Sequence, residues 1–195
     1  MAVNRRVLAV SLGVAVVVSI AGGWALSRDD GGTEVAADDD VVLSTPGVVQ
    51  QPSDSTNEVV TGAALPAVAL ETNAGDAVST DDLIGQPLIL NFWYSTCAPC
   101  KKELPDFAAV HAELGDRIRF VGINPYDVPE VNESFARDLG IRYELLRDVA
   151  DRFGSEVGIA TAPFTLFVRA DGTIQRQAGL LDEATLRQYA EELLG

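Results

Sequence analysis

A nearly continuous apolar run, from Pro87 to Trp93, leads directly into a pair of cysteines and then into a helical pattern. Strands that are covered on both faces have unbroken apolar runs of this kind, whereas a strand with one wet face alternates. Cys97-Ala98-Pro99-Cys100 lies at the junction, and helical periodicity extends from about Ala98 to Leu114. The sequence therefore predicts a central buried strand in a layered α/β domain, with two thiols where that strand gives way to a helix.

The rest of the segment 63–195 alternates between strand and helix patterns. Interleaved strands and helices that end in a hairpin and a last helix favour a three-layer α/β sandwich around a mixed sheet. The predicted elements are a leading hairpin around 73–76, strands at 118–123 and 143–145, a helix at 130–139, a helical turn at 149–153, a hairpin around Asp171-Gly172, and a final helix from Asp182 to Leu194.

An apolar stretch without ionisable side chains, from Val7 to Leu26, precedes this domain. As a helix it would measure about 30 Å, the thickness of the bilayer hydrocarbon. Arg5 and Arg6 on its amino side and Asp29 and Asp30 on its carboxyl side predict that the remainder of the chain lies outside the cytoplasm. Residues 1–27 are thus predicted to be a single transmembrane anchor, with a cleaved signal peptide as the alternative.

Residues 28–62 form an acidic segment with eight acids and one base, and are predicted to be a disordered linker to a domain at 63–195. The whole chain of 195 residues has a formal net charge of -15. Such a charge excludes general nucleic-acid binding, because phosphate affinity requires clustered cations.

The two cysteines carry the predicted chemistry. A thiol at a helix N-terminus faces unpaired backbone N–H groups that stabilise a thiolate, so Cys97 is predicted to attack a substrate disulfide and Cys100 to resolve the mixed disulfide. Half of a zinc site and inert thiols are the alternatives. The chain has no other cysteine and a single histidine, His111, so the redox interpretation is favoured, with no cofactor beyond the Cys97–Cys100 disulfide.

The stretch from Asn91 to Pro105, NFWYSTCAPCKKELP, resembles the TlpA/ResA family of thioredoxin-like, membrane-tethered thiol-disulfide oxidoreductases. The resemblance continues over essentially all of residues 63–195. It implies a thioredoxin-like fold and a cis-proline at Pro163, with Ala162 pairing with the substrate backbone. It also implies that Glu103 tunes the thiols and handles a proton for the buried cysteine, since Asn91 stands where thioredoxin has a buried Asp.

The family resemblance further implies an extracytoplasmic reductase of protein disulfides, such as apocytochrome c in cytochrome c maturation, recharged by a CcdA/DsbD-type membrane electron donor. One residue departs from the family pattern, because Thr96 stands where Trp commonly precedes the first cysteine, with Tyr94 as a replacement contact. Three alternatives remain: a disulfide-forming oxidant of the same fold, a copper-binding chaperone, and a thiol peroxidase, for which position 94 would need Thr.

Overall fold

The computed structural model describes residues 56–195. The predicted anchor at 7–26 and most of the predicted linker lie outside the described residues. Among the helices of residues 56–195, none is both long and apolar enough to cross a bilayer.

The described residues form a seven-stranded sheet in the order β2-β1-β5-β4-β3-β6-β7. Neighbouring strands β3 and β4 are parallel, as are β4 and β5, and the other pairs are antiparallel, so the predicted mixed sheet is confirmed. The strands are β1 (Ala69–Thr72), β2 (Ala77–Ser79), β3 (Leu88–Phe92), β4 (Arg119–Asn124), β5 (Glu144–Arg147), β6 (Phe164–Val168) and β7 (Ile174–Ala178).

Helices cover both faces of this sheet and complete the predicted three layers. Side chains of α1, α2 and α4 enter the apolar cluster on one face, and side chains of α3 and of the β1–β2 region enter the cluster on the other. The helices are α1 (Ala98–Leu114), α2 (Pro129–Asp138), α3 (Arg152–Val157) and α4 (Glu183–Leu194), with a 3-10 turn at Thr80–Leu83.

The central strand β3 positions the redox pair. All five of its residues are buried, as the unbroken apolar run predicts. Its last residue, Phe92, pairs with Phe164, the first residue of β6. The loop that ends at Pro163 therefore lies beside the loop that leads to Cys97. Two segments that are distant in sequence thus meet where β3 ends and β6 begins.

Helix α3 begins later than the sequence pattern predicts, at Arg152 rather than near residue 149. The reason is the buried carboxylate of Asp148, which accepts hydrogen bonds from the N–H groups of Arg152 and Gly154, both at 2.9 Å. A side chain that satisfies free N–H groups at a helix start fixes where the helix begins. Periodicity alone could not locate this helix, because its six residues are too few to show a helical period.

Residues 56–62, assigned by composition to the linker, contact the domain. The side chain of Asn57 is buried and accepts hydrogen bonds from the N–H groups of Ala160 at 2.7 Å and Thr161 at 2.9 Å. Gly62 N–H donates to the carbonyl of Ile174 at 2.8 Å. Residues 56–62, which composition assigns to the linker, are therefore joined to the loop before Pro163 and to β7 by hydrogen bonds.

Candidate active site

Cys97 and Cys100 form a disulfide at the start of α1. Cys97 is the N-cap residue, and its Sγ accepts a hydrogen bond from the Cys100 N–H at 3.2 Å. The Cys97 side chain retains 5% exposure, whereas Cys100 has none. A substrate can therefore reach only the first sulfur, and the helix N-terminus beneath it stabilises a thiolate there when the pair is reduced.

The loop between β3 and Cys97 is fastened to the loop that follows β4. Ser95 donates to the Asp127 carboxylate through its backbone N–H and its hydroxyl, and Asn124 Nδ2 donates to the same carboxylate at 2.7 Å. These contacts order the segment that places Cys97 at the helix start. They were not among the predicted site residues, although Asn124, at the end of an apolar strand, has the side chain that commonly builds such turns.

Glu103 lies one turn after Cys100 on the buried face of α1 and is 1% exposed. Its Oε2 accepts a hydrogen bond from the Leu181 N–H and its Oε1 accepts one from Asn91 Nδ2, both at 3.0 Å. Burial is the main cause that raises the pKa of Glu103 to about 7, and the nearby charge of Asp106 adds to it, while the two hydrogen bonds oppose it. The carboxyl group is therefore poised to gain or lose a proton near neutral pH.

Asn91 holds that carboxyl group from the central strand. Its Nδ2 donates to Glu103 and also to Thr165 Oγ1, each at 3.0 Å, in a wholly buried setting. An amide can give two protons to two acceptors, which an ionised Asp at this position could not do. The structure thus brings together Asn91 and Glu103, the two residues to which the family resemblance gives a role in the proton step.

The peptide bond between Ala162 and Pro163 is cis, as expected from the resemblance. Ala162 is half-buried and lines a cavity of about 70 Å³ together with Tyr94 and Tyr126. The two tyrosine rings stack edge to face with centroids 5.0 Å apart, and Tyr126 is 69% exposed. An aromatic surface therefore lies beside Ala162, although residue 96 is an exposed Thr and not a Trp.

His111 does not join the cysteines. It lies eleven residues after Cys100 on the same helix, a rise of about 16 Å. Its ring packs edge to face against Phe120 and Tyr143, each with centroids 5.3 Å apart, and burial lowers its pKa. Within residues 56–195, no three His, Cys, Asp or Glu side chains are grouped as ligands for a metal ion.

Comparison with known proteins agrees with this geometry. The AhpC/TSA family model matches residues 61–177. The thiol:disulfide interchange protein HelX of Rhodobacter capsulatus is 35% identical over 137 residues, which are 68% of this chain and 76% of HelX. Sporulation thiol-disulfide oxidoreductase A of Bacillus subtilis is 31% identical over 135 residues, which are 66% of this chain and 81% of that protein.

Among solved structures, a secreted Mycobacterium tuberculosis disulfide oxidoreductase homologous to E. coli DsbE has the same fold, with a TM-score of 0.58 and 24% identity over 65% of this chain and 96% of that one. A thioredoxin-like sandwich with a CxxC disulfide at the end of its central strand defines a thiol-disulfide oxidoreductase. The chain belongs to the AhpC/TSA family, and its relatives there include ResA, DsbE and HelX.

Proposed function

We propose that this oxidoreductase is a reductase of protein disulfides that is tethered to the membrane and works outside the cytoplasm. The observation that carries the proposal is Glu103, a buried carboxyl group one turn behind Cys100 with a pKa of about 7. Reduction of a substrate ends when the shielded second thiol loses its proton and attacks the first sulfur. A carboxylate held behind that thiol can take its proton near neutral pH.

The reaction balances with the chain's own groups and one proton from solvent. The Cys97 thiolate attacks one sulfur of the substrate disulfide, forming a mixed disulfide and releasing one substrate thiolate, which takes up a proton from solvent. Cys100 passes its proton to Glu103 and attacks Cys97, which breaks the mixed disulfide and releases the second substrate thiolate. Two electrons have moved from the Cys97–Cys100 dithiol to the substrate, and the proton on Glu103 balances the second thiolate.

The substrate side of the proposal is a polypeptide segment laid across the loop that ends at Pro163. Ala162, which lines the cavity beside Tyr94 and Tyr126, is the residue proposed to pair with the substrate backbone. The exposed ring of Tyr126 provides an apolar contact for side chains that flank the substrate cysteine. This aromatic pair takes the place of the Trp that is common in the family at position 96.

Location and partners are proposed from the sequence. The apolar stretch 7–26, with arginines before it and aspartates after it, supports an uncleaved anchor with the catalytic domain outside the cytoplasm. Each turnover leaves the pair as a disulfide, so a membrane dithiol donor of the CcdA/DsbD type would supply two electrons and two protons. Apocytochrome c is the proposed substrate, because its heme-attachment cysteines must be reduced. Edman sequencing of the native protein tests the anchor, since a read starting near residue 28 means cleavage.

The reduction potential of the Cys97–Cys100 pair tests the proposed direction of the reaction. It is measured on the full chain in detergent micelles, by equilibration with dithiothreitol and glutathione buffers. A value below about -230 mV, close to that of thioredoxin, is the expected result for a reductase. A value above about -150 mV, towards that of a strong oxidant, would overturn the proposal and indicate an enzyme that forms disulfides in secreted proteins.

A further inference from the structure

Four buried polar side-chain atoms have no hydrogen-bond partner among residues 56–195. One is Arg147 Nε, whose guanidinium pairs with Glu71. The other three are Asn91 Oδ1, Trp93 Nε1 and Tyr143 Oη, on the α1 face of the sheet. Their side chains are at most 7% exposed. Leaving a buried polar group unpaired is costly, so such groups in folded proteins are commonly satisfied by an ordered water. A buried water typically makes two to four hydrogen bonds to groups of this kind.

Gly122 lies beside two of these side chains and opposite the third. It pairs with Asn91 in the β3–β4 register, and Trp93 projects from the same face of β3 as Asn91. A Cβ on Gly122 would lie 2.7 Å from Trp93 Nε1 and 3.4 Å from Tyr143 Cε2, an atom two bonds from Oη. The missing side chain leaves space beside Trp93 Nε1 and the Tyr143 ring, opposite Asn91, and Leu145 Cδ2 bounds that space at 3.1 Å.

These three polar side chains lie near Glu103. The Asn91 amide donates a hydrogen bond to Glu103 Oε1. Burial is the main cause that raises the pKa of Tyr143, and the charge of Glu103 adds to it. The Tyr143 hydroxyl therefore stays protonated and can donate a hydrogen bond. The titratable groups that face Glu103 are Asp106 on α1, Tyr143 before β5, and the redox thiols when reduced. Strand β3 and the segment before α4 supply neutral donors, the Asn91 amide and the Leu181 N–H.

We propose that Asn91 Oδ1, Trp93 Nε1 and Tyr143 Oη bind a buried water molecule beside Glu103, and that Tyr143 is a positioning residue for the proton step. The water accepts from the Trp93 indole and donates to Asn91, and Tyr143 orients it towards the carboxyl group. The water donates its other proton to the Glu103 carboxylate and so sets how readily Glu103 takes the proton of Cys100, which returns to Cys100 when the disulfide is next reduced. The inference rests on the proton role of Glu103 in the proposed function.

The test compares Tyr143→Phe with Tyr189→Phe in the full chain in detergent micelles. Tyr189 is a partly buried tyrosine of the same apolar cluster, so its variant is a matched loss of one hydroxyl. Carbon-13 NMR of the Glu103 carboxyl, assigned with Glu103→Gln, should show a pKa above about 7 in Tyr143→Phe, because the carboxylate loses a donor reached through the water. Single-turnover release of the second thiolate from a chromogenic disulfide should slow up to about tenfold at pH 7 and recover at higher pH. Tyr189→Phe should change neither.

Magnetisation transfer from a long-lived water to the Trp93 indole proton is the second measurement. It needs no substitution, and Trp93→Phe identifies the signal. An unchanged Glu103 pKa in Tyr143→Phe, or the absence of that water signal from the unmodified chain, overturns the inference while leaving the proposed function intact. If Glu103→Gln leaves the pH profile of thiolate release unchanged, Glu103 does not take the proton of Cys100. That result would overturn both this inference and the proton step of the proposed function.

Discussion

Ser95 donates two hydrogen bonds to the Asp127 carboxylate, from its hydroxyl at 2.6 Å and from its backbone N–H at 2.7 Å. One residue thus donates two hydrogen bonds to a single side chain that lies 32 positions further along the sequence. The Cys97 N–H donates in turn to the carbonyl of Tyr94, so the turn that presents the first cysteine is fastened at both of its ends.

Replacing Asp127 with Ala should lower the free energy of unfolding by about 1–3 kcal/mol, because Ser95 and Asn124 lose their shared acceptor. Urea denaturation of the oxidised protein measures this. Glu133→Ala, which removes an exposed acid from α2, is the control and should change the stability by no more than about 0.5 kcal/mol. Equal stability of the two variants would contradict the role given to Asp127.

Replacing each cysteine with serine should stop the reaction at a different step. Cys97→Ser removes the accessible nucleophile, so reduction of insulin or apocytochrome disulfides should disappear. Cys100→Ser keeps the nucleophile but removes the resolving thiol, so a mixed disulfide between Cys97 and substrate should accumulate and be seen as a mass adduct. Full activity of Cys97→Ser, or an adduct found on Cys100 instead, would reverse the assignment.

Glu103 should make stability depend on pH. Its pKa is about 7 in the folded chain against 4.5 as its ordinary value, so the folded state binds one more proton than the unfolded state between these pH values. Stability is therefore fully present below pH 4.5 and falls as pH rises through 7, by about 3 kcal/mol for this group alone. Urea denaturation from pH 4 to 8 should show this fall, and Glu103→Gln should remove most of it. An unchanged slope in the variant would contradict the raised pKa.

Tyr126→Ala should weaken the binding of protein substrates and leave the reaction with small disulfides unchanged. Its exposed ring lies against Tyr94 beside Ala162, where a polypeptide would contact it and a small disulfide would not. We expect KM for a protein disulfide to rise about tenfold, as for the loss of one well-placed aromatic contact, with the rate on a small aromatic disulfide unchanged. Val149→Ala, another exposed apolar residue, is the control. An equal loss of activity on both substrates would mean that Tyr126 supports the fold and does not contact the substrate.

The layers and the position of the redox pair could be predicted because their signals are local. The unbroken apolar run before Cys97 predicts a central strand, and α1 occupies the predicted Ala98–Leu114. Asp182 caps the last helix, accepting from the Thr185 N–H at 2.8 Å. Each of these features depends on neighbouring residues alone.

The contacts that tune the site could not be predicted in the same way, because they join residues far apart in sequence. The Leu181 N–H reaches Glu103 across 78 positions, and Asn91 reaches Thr165 across 74. No periodicity or turn preference records such a pairing. Only the family resemblance pointed to Glu103, and nothing in the sequence pointed to Tyr143 or Gly122.

The buried amide of Asn57 has a mechanical consequence. It accepts hydrogen bonds from the backbone N–H groups of residues 160 and 161, three and two positions before Pro163, at 2.7 and 2.9 Å. A pull on the chain ahead of residue 56, for instance from a fusion partner, is therefore transmitted to the residues that lead to Pro163. The same load applied after Gly195 would bear on α4 instead. The end of the chain chosen for attachment thus decides whether force reaches the loop that ends at Pro163.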